Sequence, residues 1–149
     1  MNGNESMDVH HLAPPELASL AASSREIFEG ILAQSLGHQR TLGTCLYAAV
    51  MCAAVINRFT SFQASVRGGD GDSDGGLYID WVGHGHYWVE ATAGDQAFVV
   101  DVTADQFGLP KVVVAPLEDL PARYIPGDQK AVDEHAADLM LEIQSEQAG

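Results

Sequence analysis

Three segments of the chain place their apolar residues with helical spacing. After Pro14-Pro15, positions three and four apart predict an amphipathic helix up to about Leu36, with one face made of Leu17, Leu20, Ala21, Ser24, Ile27, Phe28, Ile31 and Leu32. Every residue from Leu46 to Ile56 is apolar, so we expect a central helix that is buried on all sides. A closing helix is predicted from Gln129 to about Gln144, with one face made of Ala131, Val132, His135, Leu139 and Ile143.

The segments between the central and closing helices alternate polar and apolar residues, which is typical of β-strands. The predicted strands are Ser61–Val66, Leu77–Val82, His86–Ala93, Ala97–Val102 and Lys111–Val114. A turn at Gly94-Asp95 joins the third and fourth of them into an antiparallel hairpin. The sequence therefore predicts an α+β fold in which helices pack on an antiparallel sheet.

Length and composition suit one folded domain. The chain has 149 residues, 46% of them hydrophobic, which is enough for a sizeable core. Residues 1–13 are polar and irregular, so we predict a flexible N-terminus followed by a single domain over residues 14–149.

Charge and apolar run lengths bear on partners and location. The formal net charge of −14 argues against nucleic acid or an anionic membrane as a partner, because both need a basic surface. The longest apolar run, Leu46–Ile56, is too short to span a bilayer, and residues 1–25 lack the pattern of a signal peptide. We therefore expect a cytoplasmic protein, with export by a dedicated secretion system left open.

Cys45 stands where the central helix is predicted to begin. Gly43 can turn the chain into that helix, and Thr44 can cap it. In a first helical turn, unpaired N–H groups and the helix dipole favour a thiolate, the nucleophilic form of cysteine. The alternative is a buried, inert thiol, which is also what we expect of Cys52 two turns later.

A histidine and an aspartate are predicted to meet on the hairpin. Strand alternation places His84, His86, Trp88 and Glu90 on one face. Pairing about Gly94-Asp95 sets position 86 opposite about position 103, so Asp101 lies within a residue or two of His86. A thiol, an imidazole and a carboxylate are the groups that acyl transfer by a cysteine nucleophile requires.

These motifs, in this order, resemble the transglutaminase-like superfamily, which has the papain-like cysteine peptidase fold. The motifs are Gly43-x-Cys45 with Ala49 on a buried helix, His86-x-Trp88-Val-Glu, and Asp101-x-Thr103, and the resemblance covers about residues 43–108. It implies a central helix that carries the cysteine and packs on an antiparallel sheet, with helices at both termini. Val102 stands where the family usually has proline, and the chain has no accessory domain, which leaves the subfamily open.

The resemblance also implies residue roles and a reaction. Cys45 matches the family's nucleophile, His86 its general base and Asp101 its orienting acid, with no cofactor. Transfer to water makes a peptidase, amidase or deamidase, and transfer to an amine makes a transglutaminase; the partner is a protein, peptide or other amide substrate. Gln39, six residues before Cys45, has the spacing at which papain-like peptidases place an oxyanion-hole amide.

Less reactive roles stay open for several of these residues. His86 can be a hydrogen-bonded structural histidine, and Asp101 can cap the turn into Thr103. His84 and Trp88 can line a cleft, although we expect Trp88 in the core. A papain-like domain used only for binding is therefore the alternative to an enzyme.

Two metal sites are also possible from the sequence. His84-x-His86 with Cys45 or Asp101 offers zinc ligands, although without the usual ligand spacing of zinc sites. A loop begins like a calcium site with Asp70, Asp72, Asp74 and Gly75, but Trp81 stands where the bidentate glutamate belongs. We therefore predict no metal, and a solvated hairpin tip at residues 70–75.

Overall fold

A computed structural model describes residues 14–31, 44–120 and 123–148. Its α-helices are α1 (Pro15–Ile31), α2 (Cys45–Phe59) and α3 (Gln129–Ala148). The larger sheet has the strand order β1-β4-β5-β6, with β1 Gln63–Gly69, β4 His86–Ala93, β5 Gln96–Asp101 and β6 Val113–Pro116. The smaller sheet has the order β3-β2-β7, with β2 Gly76–Ile79, β3 Val82–His84 and β7 Tyr124–Ile125.

All strand pairs in the described ranges are antiparallel, so the predicted α+β class is confirmed. Two short 3-10 helices follow β5 and β6, namely η1 (Ala104–Phe107) and η2 (Leu117–Asp119). The predicted flexible N-terminus, residues 1–13, lies outside the described residues, as does the end of the first predicted helix beyond Ile31. No helix in the described ranges is long and apolar enough to cross a membrane.

The main core lies between α2 and the larger sheet. Small residues on α2 let the helix approach the strands closely, and α1 covers the same core; its members include Leu17, Phe28, Ala48, Ala49, Cys52, Ala53, Ile56, Val89, Ala91, Phe98 and Val100. The expectation that α2 is buried on all sides is wrong. Ala54 is exposed and Met51 half-buried, because the sheet and α1 cover only part of the helix surface.

A second apolar cluster connects the two sheets. It consists of Leu77, Trp88, Val99 and Tyr124, all buried. Since Trp88 belongs to this cluster and its neighbour Val89 to the main core, β4 is apolar toward both of its faces.

The predicted strand Leu77–Val82 is wrong in one respect, because a tight turn divides it into β2 and β3. Ile79 pairs with Val82, and the two residues between them, Asp80 and Trp81, have φ angles of 50° and 70°. Positive φ at both central positions is the geometry of a type I′ hairpin turn, which usually contains Asn or Gly. This turn contains neither Asn nor Gly, so the alternating polar and apolar residues gave no indication of a turn. The first and last predicted strands also begin two residues later than expected, at Gln63 and Val113.

The two outer helices differ in how well their faces were predicted. On α3, Val132 is buried and Leu139 packs on the core as expected, whereas His135 is exposed and meets the Tyr87 hydroxyl through its Nδ1 at 2.6 Å. The side chain of Ile143 lies outside the described part. On α1, Ile27 is 53% exposed instead of buried.

Arg25 occupies a buried place on α1 that the apolar pattern did not indicate. Its guanidinium donates to both carboxylate oxygens of Asp105 at 2.7 and 2.9 Å, to the Val102 carbonyl at 2.9 Å, and to Glu29 at 2.8 Å. A charge removed from water needs such partners. The network attaches α1 to the segment that leaves β5.

Replacing Arg25 with Ala should lower the free energy of unfolding by about 2 kcal/mol, because it leaves the Val102 carbonyl and the partly buried Asp105 carboxylate without their donor. Urea denaturation would measure the loss. Arg58→Ala, at an exposed position, serves as the control and should change stability by less than about 0.5 kcal/mol. Equal effects of the two substitutions would contradict a stabilising role for the network.

Candidate active site

Cys45 is the first residue of α2. Thr44 lies at the N-cap with φ −108° and ψ 4°, and its carbonyl accepts the Ala48 N–H at 3.1 Å. The predicted cap by the Thr44 side chain is wrong, since that side chain makes no capping hydrogen bond and the backbone is not extended as at most N-caps. Cys45 is 8% exposed. It lies at the helix end where the backbone N–H groups have no partner within the helix.

His86 is the first residue of β4 and is 1% exposed. The predicted hairpin about Gly94-Asp95 is confirmed, because Ala93 pairs with Gln96 and Val89 with Val100. The same register continued sets position 86 opposite position 103, two residues from Asp101. The imidazole Nε2 accordingly lies 2.9 Å from Asp101 Oδ2.

The Asp101 carboxylate is 1% exposed and fully engaged. Its Oδ1 accepts the Thr103 N–H at 3.0 Å, and its Oδ2 accepts the Tyr124 hydroxyl at 2.7 Å besides facing His86. Asp101 therefore makes both contacts that the sequence left open, one with the histidine and one with the turn into Thr103. With donors on both oxygens, the carboxylate is fixed in one orientation.

The environment of His86 favours its protonated form. Burial lowers the pKa of His86, but the hydrogen bond with Asp101 and the interaction with Cys45 outweigh burial and raise that pKa to about 9. Cys45 thus lies close enough to act on the ring. The second ring nitrogen, Nδ1, is buried and has no hydrogen-bond partner among the described residues.

The hydrogen bonds assign the tautomer of the neutral ring. Because Nε2 faces a carboxylate, the ring proton belongs on Nε2, which leaves the lone pair of Nδ1 free to accept a proton. A buried acceptor without a partner is costly, so a side chain close to the ring that can supply a proton is significant. The Cys45 thiol is such a group.

Aromatic rings surround the imidazole. Trp88 stacks against it with centroids 6.2 Å apart, and Phe107 presents an edge at 4.9 Å. Trp88 is 1% exposed and therefore belongs to the core. The rings limit the access of water to His86.

The expectation that His84 shares a strand face with His86 is wrong. His84 ends β3 in the smaller sheet, and the chain changes sheets at Gly85. The centroids of the His84 and Phe107 rings nevertheless lie 5.0 Å apart. Glu90 pairs with Arg67 on β1 and takes no part in the site.

Tyr124 and Phe107 are site residues that the sequence did not indicate. Tyr124 comes from a strand of two residues, and Phe107 from a 3-10 turn, so neither lies in a periodic pattern. Tyr124 follows Asp101 by 23 positions, and only the pairing of β7 with β2 brings it there.

The candidate metal ligands are engaged in other contacts. Asp70 Oδ1 accepts the N–H groups of Asp72 and Asp74, and the Asp74 carboxylate accepts the Asp128 N–H. Residues 70–75 therefore form a hydrogen-bonded turn that the Asp74 carboxylate joins to the start of α3. Within the described ranges, no three His, Cys, Asp or Glu side chains are placed to hold a metal ion. Gln39, the oxyanion candidate, lies outside those ranges.

Iodoacetamide at neutral pH should modify Cys45 at least about ten times faster than Cys52. Cys52 is 0% exposed, and burial raises its pKa to about 12, so almost none of it is thiolate. Peptide mapping by mass spectrometry would give both rates, with Cys45→Ser and Cys52→Ser as matched controls. Equal alkylation rates of the two cysteines in the folded protein would contradict the assignment of Cys45 as the reactive thiol.

The His86 imidazole should titrate near pH 9, and Asp101→Asn should lower its pKa because a neutral amide holds an imidazolium less strongly than a carboxylate. NMR of the ring carbon protons would follow the titration. Asp95→Asn lies at the exposed turn beyond the other end of β4. It is the matched control and should leave the pKa of His86 unchanged.

The same pKa predicts how stability depends on pH. A pKa raised above the ordinary value of about 6.5 means that protonated His86 stabilises the fold at low pH. That contribution should be complete below about pH 6.5 and should disappear as the pH rises through 9. Urea denaturation between pH 6 and 10 would give the free energy of unfolding at each pH. As the pH rises, this free energy should fall less for Asp101→Asn than for Asp95→Asn.

Comparison with known proteins adds no relative on which a function could be argued. No protein-family model matches the chain, and no curated protein or solved structure does either.

Proposed function

We propose that this protein is a cysteine-dependent acyl-transfer enzyme of the transglutaminase-like class. Cys45 is the nucleophile, His86 the general base and acid, and Asp101 the group that orients His86. The observation that carries this proposal is a buried His86 ring whose Nε2 is held by a buried carboxylate and whose Nδ1 has no hydrogen-bond partner among the described residues, while Cys45 acts on the same ring. A structural histidine would have both nitrogens satisfied.

The arrangement of elements supports a papain-like architecture. A helix that begins with the cysteine packs on an antiparallel sheet, and two adjacent strands of that sheet supply the histidine and the aspartate. Helices from both ends of the chain, α1 and α3, pack against the same core.

The first half of the reaction forms a thioester. Because the environment of His86 favours its protonated form, the proton of the Cys45 thiol resides on the His86 imidazole, and the Cys45 thiolate sulfur attacks the carbonyl carbon of an amide. The oxygen then carries negative charge, which the Cys45 N–H at the start of α2 can stabilise, with the Gln39 amide as a further candidate. The imidazolium returns its proton to the amide nitrogen, the C–N bond breaks, and the amine leaves.

The second half transfers the acyl group and restores the thiol. Water or an amine attacks the thioester carbon, His86 removes the proton of the attacking atom, and Cys45 takes it back as the C–S bond breaks. Water as acceptor makes the protein a peptidase, amidase or deamidase, and an amine makes it a transglutaminase. The net charge of −14 favours basic or neutral protein and peptide substrates.

Two other functions make different predictions. A non-catalytic papain-like binding module would show no turnover, and its partner affinity would survive the loss of the thiol. A zinc hydrolase would need ligands from His84, His86, Cys45 or Asp101, but His86 Nε2 is engaged with Asp101, and no three His, Cys, Asp or Glu side chains among the described residues are placed to hold a metal ion.

Cys45→Ala should abolish turnover, with a loss of about 10³-fold or more, and His86→Ala should cost about as much, because these groups act as a unit. Asp101→Asn should cost less than either, because it disturbs the orientation of the imidazole and leaves nucleophile and base in place. The measurement is activity on a panel of glutamine-containing and peptide substrates, with and without a chelator.

Cys52→Ala is the matched control, since it removes a thiol from the core and should retain activity in the folded protein. Inactivation by the chelator, or wild-type turnover in Cys45→Ala, would discard the mechanism. No turnover of any substrate by the unsubstituted protein would favour the binding module.

A further inference from the structure

Tyr124 shares an acceptor with the candidate catalytic histidine. Its hydroxyl donates to Asp101 Oδ2 at 2.7 Å, and the same oxygen faces His86 Nε2 at 2.9 Å. Tyr124 is 1% exposed, and its ring meets Trp88 edge-on with centroids 5.2 Å apart. The hydroxyl therefore adjoins the histidine–aspartate pair on the Nε2 side of the ring.

The smaller sheet brings Tyr124 to this position. Tyr124 pairs with Leu77 on β2, and the Tyr78 N–H donates to the Arg123 carbonyl at 2.7 Å. The other edge of β2 pairs with β3, which leads through Gly85 directly into His86. One small sheet thus holds both the chain that enters His86 and the hydroxyl that reaches its partner.

We propose that Tyr124 is a positioning residue of the site, whose hydroxyl holds Asp101 Oδ2 in place and limits the basicity of His86. The inference rests on the proposed function and extends it to a residue that contacts the orienting aspartate. The Tyr124 hydroxyl acts on His86 through Asp101.

The physical reason lies in how two donors share one oxygen. A hydroxyl bonded to Oδ2 takes up part of the carboxylate charge, so the carboxylate attracts the imidazolium proton less strongly. Burial and the neighbouring Asp101 both raise the pKa of Tyr124 above its ordinary value, so the hydroxyl keeps its proton and remains a donor. A base that must return its proton to a leaving group works best when its pKa is not too high.

The groups that act on His86 come from several elements. Cys45 lies at the start of α2, Asp101 at the end of β5 and Tyr124 on β7. His84, on β3, contacts the Phe107 ring that also contacts His86. The contribution of Tyr124 can be tested by removing a single oxygen atom. Tyr124→Phe keeps the ring against Trp88 and removes only the hydroxyl, so the packing of the second cluster is retained.

Tyr124→Phe should raise the pKa of His86 by about half a unit and lower kcat about tenfold, with KM nearly unchanged, because the hydroxyl touches no substrate. NMR titration of the His86 ring and steady-state kinetics across pH would measure these effects, and the pH profile of kcat should move in the same direction as the titration. Tyr78→Phe is the matched control, since among the described residues the Tyr78 hydroxyl makes only long contacts of 3.4 Å to backbone carbonyls.

A double-mutant cycle with Asp101→Asn separates positioning from simple packing. If Tyr124 acts through Asp101, then Tyr124→Phe should change neither the His86 titration nor kcat further in the Asp101→Asn background. Additive losses, or an unshifted His86 titration in Tyr124→Phe alone, would overturn the inference. The titration needs no substrate, so a shift supports the role of Tyr124 even if the unsubstituted protein shows no turnover and the proposed function fails.

Discussion

The burial of one carboxylate constrains the rest of the site. Asp101 is almost completely removed from water, and an ionised carboxylate there needs donors, since leaving it unpaired costs several kcal/mol. The donors are the Thr103 N–H, the Tyr124 hydroxyl and His86 Nε2, which belong to the turn after β5, the smaller sheet and β4. A single desolvated charge thus connects three separate parts of the chain.

The packing of α2 on β4 brings the Cys45 thiol close to the His86 imidazole. Val89 packs with α2 on one face, while His86 and Trp88 stack together on the other. The small side chains of α2 allow the helix to lie close to the sheet, and its first residue, Cys45, adjoins the strand end that begins with His86. Cys45 and His86 therefore come together at the end of β4, where apolar rings limit the access of water to the imidazole.

The Arg25 network extends this arrangement to α1. Arg25 binds Asp105 and the Val102 carbonyl, and so holds η1, which carries Phe107 against His86. A helix far from Cys45 along the chain thereby determines one wall of the site. Because the guanidinium satisfies several acceptors at once, the burial of its charge is compensated locally.

The sequence alone determined the features that depend on local periodicity. It predicted the three helices and the hairpin about Gly94-Asp95, and through that register the approach of Asp101 to His86, because a tight turn fixes which residues pair. The tertiary structure alone decided that Arg25 is buried and that Tyr124 completes the carboxylate's donors. Such partners are chosen by proximity in space, since a buried charge takes whichever donor the packing of distant segments brings to it, and no spacing along the chain encodes that choice.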